Sequence, residues 1–95
     1  MYLITLKFAA NKASAPDHLD AHKAWIARGF EDGIFLMTGT IEPQAGGVVL
    51  AHNVDRAALE ARVGEDPFVA EGIVSAEIIG VAPGRTDDRL AFLKA

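Results

Sequence analysis

Tyr2-Leu3-Ile4-Thr5-Leu6-Lys7-Phe8-Ala9, residues 2–9, alternates in character: Tyr2, Ile4, Leu6 and Phe8 fall on one side, Leu3, Thr5, Lys7 and Ala9 on the other. A period of two belongs to a β-strand, because successive side chains point to opposite faces. The chain therefore opens with a strand that has one strongly apolar face to bury.

Reading outward from this strand, the polar loop Asn11 to Ser14 leads into a helix, with Ser14 as its N-cap and Pro16 and Asp17 in its first turn. Its apolar stripe runs through Leu19, His22, Ile26, Gly29 and Phe30, flanked by Trp25, while Asp20, Lys23, Arg28 and Glu31 fall outside the centre. Gly33 supplies the stop. Ile34 to Ile41 reads as a second strand and Val48 to Asn53 as a third, joined by the turn Glu42 to Gly47, in which Gly46-Gly47 reads only as hairpin chemistry. Asp55 caps a second helix through Val63, with Ala58, Leu59 and Val63 inward, Arg62 at the margin and Gly64 at the close. Asp66-Pro67-Phe68 starts a short helical turn, Asp66 as cap and Pro67 at the first helical position. Ile73 to Val81 is the fourth strand. The order β-α-β-β-α-β is the split βαβ unit, so the expected class is α+β, ferredoxin-like, with a four-stranded antiparallel sheet. Residues 1–83 form this domain. Residues 84–95 form a C-terminal tail, expected as a short helix over Thr86 to Lys94 that must dock to be stable.

At 95 residues there is room for one domain, near the size where a single core is only marginally sufficient. The hydrophobic fraction is 51%, more than so small a body readily covers. Both sides of the fourth strand are apolar, Ile73, Ile79 and Val81 on one and Val74, Ala76 and Ile78 on the other, with only Ser75 and Glu77 interrupting the first set. The third strand repeats the pattern, Val48 and Leu50 against Val49 and Ala51. Two helices cover one sheet face, so an apolar second face calls for a partner, and a second copy packed across a two-fold axis is the simplest one. The expectation is a homodimer through the sheet face.

A net charge of −4 argues against nucleic acid, whose phosphates need clustered Lys and Arg. No stretch approaches the roughly 18 apolar residues of a membrane span. The start at Tyr2-Leu3-Ile4 shows neither a basic region nor a cleavage site, and with no cysteine there is no disulfide or thiolate chemistry. These features lead to the expectation of a cytoplasmic protein that binds neither nucleic acid nor membrane.

His22 is the most informative residue. It stands where a core hydrophobe belongs, one turn before Ile26, and an imidazole away from water needs a hydrogen-bonding partner. It reads either as a satisfied core histidine or as a functional group. Asp66 is a candidate partner and equally an ordinary N-cap. The two roles are compatible, since one carboxylate can accept from backbone N–H groups and also orient an imidazole. His18 and His22 are spaced i, i+4, which permits metal binding, but no third ligand accompanies them and no metal is assigned. His52 falls at the end of the third strand, near solvent. Phosphate-loop, dinucleotide and nucleophile-elbow motifs are missing.

His22, with Gly33 eleven residues on, then Phe35-Leu36-Met37-Thr38-Gly39, and later Asp66-Pro67-Phe68-Val69 with Gly72, resembles the YCII-related family over residues 1 to about 83. The resemblance implies a dimeric α+β barrel built on the ferredoxin-like unit, and it matches His22 and Asp66 to the family's active-site His–Asp pair. One branch of that family is associated with removing chloride from a chlorinated hydroxyquinone; related barrels include lactone isomerases and monooxygenases. This chain departs from the commoner pattern at Thr40-Ile41-Glu42, in place of a glycine–proline start, and in its tail after Pro83. Both departures bear on the shape of a pocket.

The expected function is that of a cofactor-independent enzyme acting on a small organic molecule, aromatic or lactone-like, in which His22 transfers a proton and Asp66 orients it, for elimination, hydrolysis or isomerisation. Thr38, Ser75 and Glu77 are candidate polar contacts. The alternative is a non-catalytic ligand-binding or accessory dimer. It calls for a fully bonded His22 with no cavity beside it.

Overall fold

The computed structural model describes residues 1–94. Four strands, β1 (Tyr2–Phe8), β2 (Phe35–Ile41), β3 (Gly46–Ala51) and β4 (Val74–Gly80), form one sheet in the order β2-β3-β1-β4. Every neighbouring pair is antiparallel. The helices are α1 (Ala15–Glu31), α2 (Arg56–Gly64) and the single turn α3 (Pro67–Ala70). The architecture is the expected ferredoxin-like one, with helices on one face of the sheet.

Register explains which side chains are inside. Ile4 pairs with Val49 and Ile78, and Leu6 with Gly47 and Ala76, so these positions share the helix-covered face. Ile4, Leu6, Val49, Ala51, Phe35 and Val74 supply the sheet's part of the core, and Trp25, Leu59, Val63 and Phe68 the helices' part. β3 starts two residues earlier than the alternation suggested, at Gly46, because glycine carries no periodicity to read.

The stripe of α1 is rotated from the expected one. Trp25 and Gly29 are its buried residues, with His22 and Ile26 half-buried, whereas Leu19 and Phe30 are exposed. Two contacts explain the rotation. Gly29 lets the helix lie directly on Phe35, since a Cβ there would fall inside that ring. The Trp25 indole N–H donates to the Arg62 carbonyl at 2.9 Å and so fastens α1 to the end of α2. In α2, Leu59 and Val63 point inward as expected, but Ala58 is exposed. Arg62 holds Asp32 at 2.8 Å with its stem half-buried.

No Ser14 side-chain bond caps α1; a 3₁₀ turn over Lys12–Ser14 feeds directly into it. After Gly84 the chain runs on to a 3₁₀ helix at Asp88–Lys94, with Leu93 buried and Leu90 exposed. Of the stretch 84–95, Ala95 lies outside the described residues. Among the described residues no helix is long and apolar enough to cross a membrane.

Candidate active site

Asp66 lies between α2 and α3 with extended backbone, held by its N–H donating to the Val63 carbonyl at 3.1 Å. Pro67 cannot donate and carries a φ suited to the first helical position, so it makes the abrupt start that turns the Asp66 side chain back over α3. There Oδ1 accepts the Phe68 N–H at 3.0 Å. The same oxygen meets His22 Nδ1 at 2.7 Å, a bond that joins α3 to α1. The two readings of Asp66 therefore coexist, as cap and as partner.

Burial separates the two members of the pair. Asp66 is fully enclosed, and the His22 side chain is 14% exposed. With Asp66 as a carboxylate, Oδ1 accepts from both the Phe68 N–H and Nδ1–H, and Nε2 has no hydrogen-bonding partner among the described residues. The ring is fixed in plane as well. It stacks on Phe68 with centroids 4.0 Å apart and 2° between planes, and it lies 6.0 Å from Trp25 on a near-parallel plane. Oδ2 of Asp66 is buried with no hydrogen-bonding partner among the described residues. A carboxylate held in this way is stabilised when positive charge appears on the imidazole beside it.

His22 lines a cavity of about 490 Å³ between α1 and the sheet, within the range of small-molecule sites. Its apolar walls are Leu6, Phe8, Leu19, Ile26, Phe68 and Val74; Thr38, Thr40, Gln44 and Lys12 bring polar groups, and Gly39, Gly46 and Gly47 leave room. Asp66 stands behind His22 and does not reach the cavity. Lys12 is carried on the loop after β1, which is tied to the far side of α3 by Asn11 Nδ2 donating to the Glu71 carbonyl at 2.8 Å. Its ammonium rests 4.6 Å from the centre of the Phe8 ring.

Of the three polar candidates read from sequence, Thr38 lines the cavity. Ser75 and Glu77 do not: they pair with Lys7 and Thr5, on the helix-free face of the sheet. Alternation gave each strand two sides, but only the register with β1 shows which side meets the helices. His18 is half-buried, and among the described residues no group of three His, Asp or Glu side chains gathers where a metal could be held. His52 is half-buried beyond β3, with its ring edge-on to Phe92 of the tail at 5.5 Å. Lys12, Thr40, Gln44 and Gly47 line the cavity without having been singled out as site residues. They come from the loop after β1 and from the β2–β3 hairpin; Thr40 opens the stretch where the chain departs from the family pattern, and nothing in the local sequence marks the other three.

A four-stranded antiparallel sheet in the order β2-β3-β1-β4 with its helices on one face is a ferredoxin-like α+β fold, and it carries the His22–Asp66 pair beside a cavity. One solved structure of this fold is 5-chloro-2-hydroxyhydroquinone dehydrochlorinase (TftG) from Burkholderia phenoliruptrix AC1100 in complex with 2,5-dihydroxybenzoquinone. The likeness has a TM-score of 0.69 and covers 88% of this chain and 96% of that one, at 14% identity, and it is a likeness of fold. No family model matches the sequence, and no curated protein matches it.

Proposed function

We propose that this chain is a small-molecule enzyme of the YCII-related type, working by general acid–base chemistry without a cofactor, with His22 as the proton-transferring residue and Asp66 as its positioning partner. The observation that carries the reading is the 2.7 Å contact between Nδ1 and Oδ1, which leaves Nε2 free on a side chain that lines the cavity. Nε2 takes a proton from an acidic C–H or O–H of the bound molecule. The imidazolium so formed lies against the Asp66 carboxylate, which offsets its charge. The proton then returns to a second carbon in an isomerisation, while in an elimination the electron pair expels a leaving anion. A water activated in the same way would hydrolyse an ester or lactone.

The fold shared with a dehydrochlorinase supports a small-molecule substrate and brings ring compounds with an acidic hydroxyl to the front of the candidates. The cavity beside His22 speaks against an imidazole that merely fills the core. The test is turnover on a panel of chlorinated hydroxyquinones and lactones. With a substrate in hand, His22→Ala is expected to lower kcat by about 10²–10⁴-fold. Asp66→Asn is expected to lower kcat with KM little changed, because the tautomer is lost and the cavity kept. Full turnover by His22→Ala ends the proposal.

We further propose that the chain is a homodimer through the helix-free face of its sheet. The register lines up Ile79, Leu3, Leu50 and Met37 as one apolar row across all four strands. Met37 and Ile79 are 42% and 39% exposed. Such a row is covered in stable proteins, and a second copy covers it symmetrically.

A further inference from the structure

Gly46 and Gly47 stand side by side at the start of β3, and they are glycines for different reasons. Gly46 has φ +138°, and a Cβ there would run into the Leu6 carbonyl, so the backbone requires it. Gly47 has no such need. Its φ is not positive, and the nearest heavy atom to an added Cβ would be the Gly39 oxygen at 3.5 Å, an ordinary contact. It pairs with Leu6 on one side and Thr40 on the other, both of which line the cavity. The missing side chain at Gly47 is therefore cavity space, between Leu6 and Thr40 on the helix-covered face of the sheet.

The charge of the cavity lining is one-sided. Lys12 brings an ammonium and His22 an imidazole, and among the described residues no Asp or Glu lines it, in a chain of net charge −4. Lys12 has no ion-pair partner among the described residues. Its ammonium is instead placed against the Phe8 ring, whose face attracts it without neutralising it. Lys12 is exposed, so its ammonium meets water as well as the cavity, and above walls of Leu, Ile, Phe and Val it draws an anion toward them.

Accepting the reading of this cavity as a small-molecule site, we propose that it takes a small organic anion, with Lys12 holding the charged end and Gly47 setting how deep the carbon framework can lie. Lys12 is a specificity-determining residue, and its role is separate from the proton transfer assigned to His22. Gly47 determines size, since any larger side chain would fill the space the framework uses.

Benzoate and benzamide, nearly equal in size and differing in charge, separate these roles when each is titrated against the backbone amide resonances of the whole chain. Benzoate is expected to shift the amides of Lys12, Thr38 and Gly47 and to bind about ten-fold tighter than benzamide. Lys12→Met is expected to bring benzoate down to the level of benzamide, and Lys12→Arg to restore the difference. The difference is expected to persist in His22→Gln, which carries no imidazole charge. Gly47→Val is expected to weaken both probes by about ten-fold or more, with Gly47→Ala as a milder step if the valine variant does not fold. The proposal is overturned if neither probe moves these amides, if the preference for benzoate survives Lys12→Met or vanishes in His22→Gln, or if the Gly47 variants bind both probes as tightly as the parent. No turnover enters the measurement. The anion preference can fail while His22 catalysis stands, and the reverse.

Discussion

Asp55 and Asp66 each accept a backbone N–H at a helix start, Asp55 from Ala58 at 2.8 Å and Asp66 from Phe68 at 3.0 Å. Asp55 is exposed and does no more than cap; Asp66 is fully buried and also holds His22. Replacing each by Ala isolates the second role. Asp55→Ala is expected to cost about 1 kcal/mol, as an N-cap does. Asp66→Ala loses a cap and also leaves His22 Nδ1 without its acceptor, adding about 1–3 kcal/mol. Urea denaturation of the two variants checks the difference. Equal losses would mean that the His22–Asp66 bond contributes nothing to the fold. His22 was legible in the sequence because it broke a local rule, a histidine in an apolar stripe wanting a partner, whereas Asp66 read equally as an ordinary N-cap and was matched to it by the family resemblance. Lys12 and Gly47 broke no rule where they stand. A lysine in a polar loop and a glycine in a hairpin are ordinary, and only the β1–β3 register and the tie from Asn11 to Glu71 bring them to the cavity.

Among the elements, α1 shows where periodicity reads well and where it does not. A helix ending at Gly33 was plain from its stripe, yet the stripe pointed at Leu19 and Phe30, which are exposed, in place of Trp25. Its orientation is set by how closely α1 approaches β2, and that depends on Gly29 lying on Phe35. Gly29→Ala would raise helix propensity by roughly 1 kcal/mol in an isolated helix. Here it drives a methyl into an aromatic ring, and overpacking of this kind costs about 1–3 kcal/mol. The net expectation is a lowered melting temperature, read by thermal unfolding; an unchanged or raised one would show that α1 slides freely on β2. The tail makes a different kind of prediction. At its start Asp87 Oδ1 accepts from Arg89 Nε at 3.0 Å and from the Arg89 backbone N–H at 2.9 Å. The guanidinium first, and the N–H second, hold the Asp87 carboxyl below the usual carboxylate range. A carboxyl lowered in the folded state stabilises its turn fully above the unfolded value of about 4 and ceases to do so as pH falls through the lower folded value. The Arg89 amide resonance is expected to move to its unstructured position only in that acidic window, and movement near neutrality would contradict the arrangement.

For the molecule as a whole, the two faces of the sheet differ in what they carry. The helix-covered face carries the cavity and the His22–Asp66 pair, and the helix-free face carries the row Ile79, Leu3, Leu50 and Met37. Ser75 and Glu77, one candidate function in the sequence, belong to the second face, next to Lys7 and Thr5. Their polar row borders the apolar one and would rim the contact between two copies, as polar residues rim interfaces generally. Leu50 is the central place to test this, because it stands in the middle of the apolar row with Leu3 on one side and Met37 on the other. Leu50→Glu puts a carboxylate into each copy's half of the proposed contact, where a charge taken out of water without a partner is costly. In the monomer the same substitution touches only a half-buried sheet position and leaves the core on the opposite face untouched. Sedimentation of the parent at micromolar concentration is expected at twice the monomer mass, and of Leu50→Glu at the monomer mass, with an unchanged far-ultraviolet circular dichroism spectrum. A monomeric parent would leave the apolar row without a second copy to cover it, and the dimer proposal would fall while the cavity and its chemistry stood.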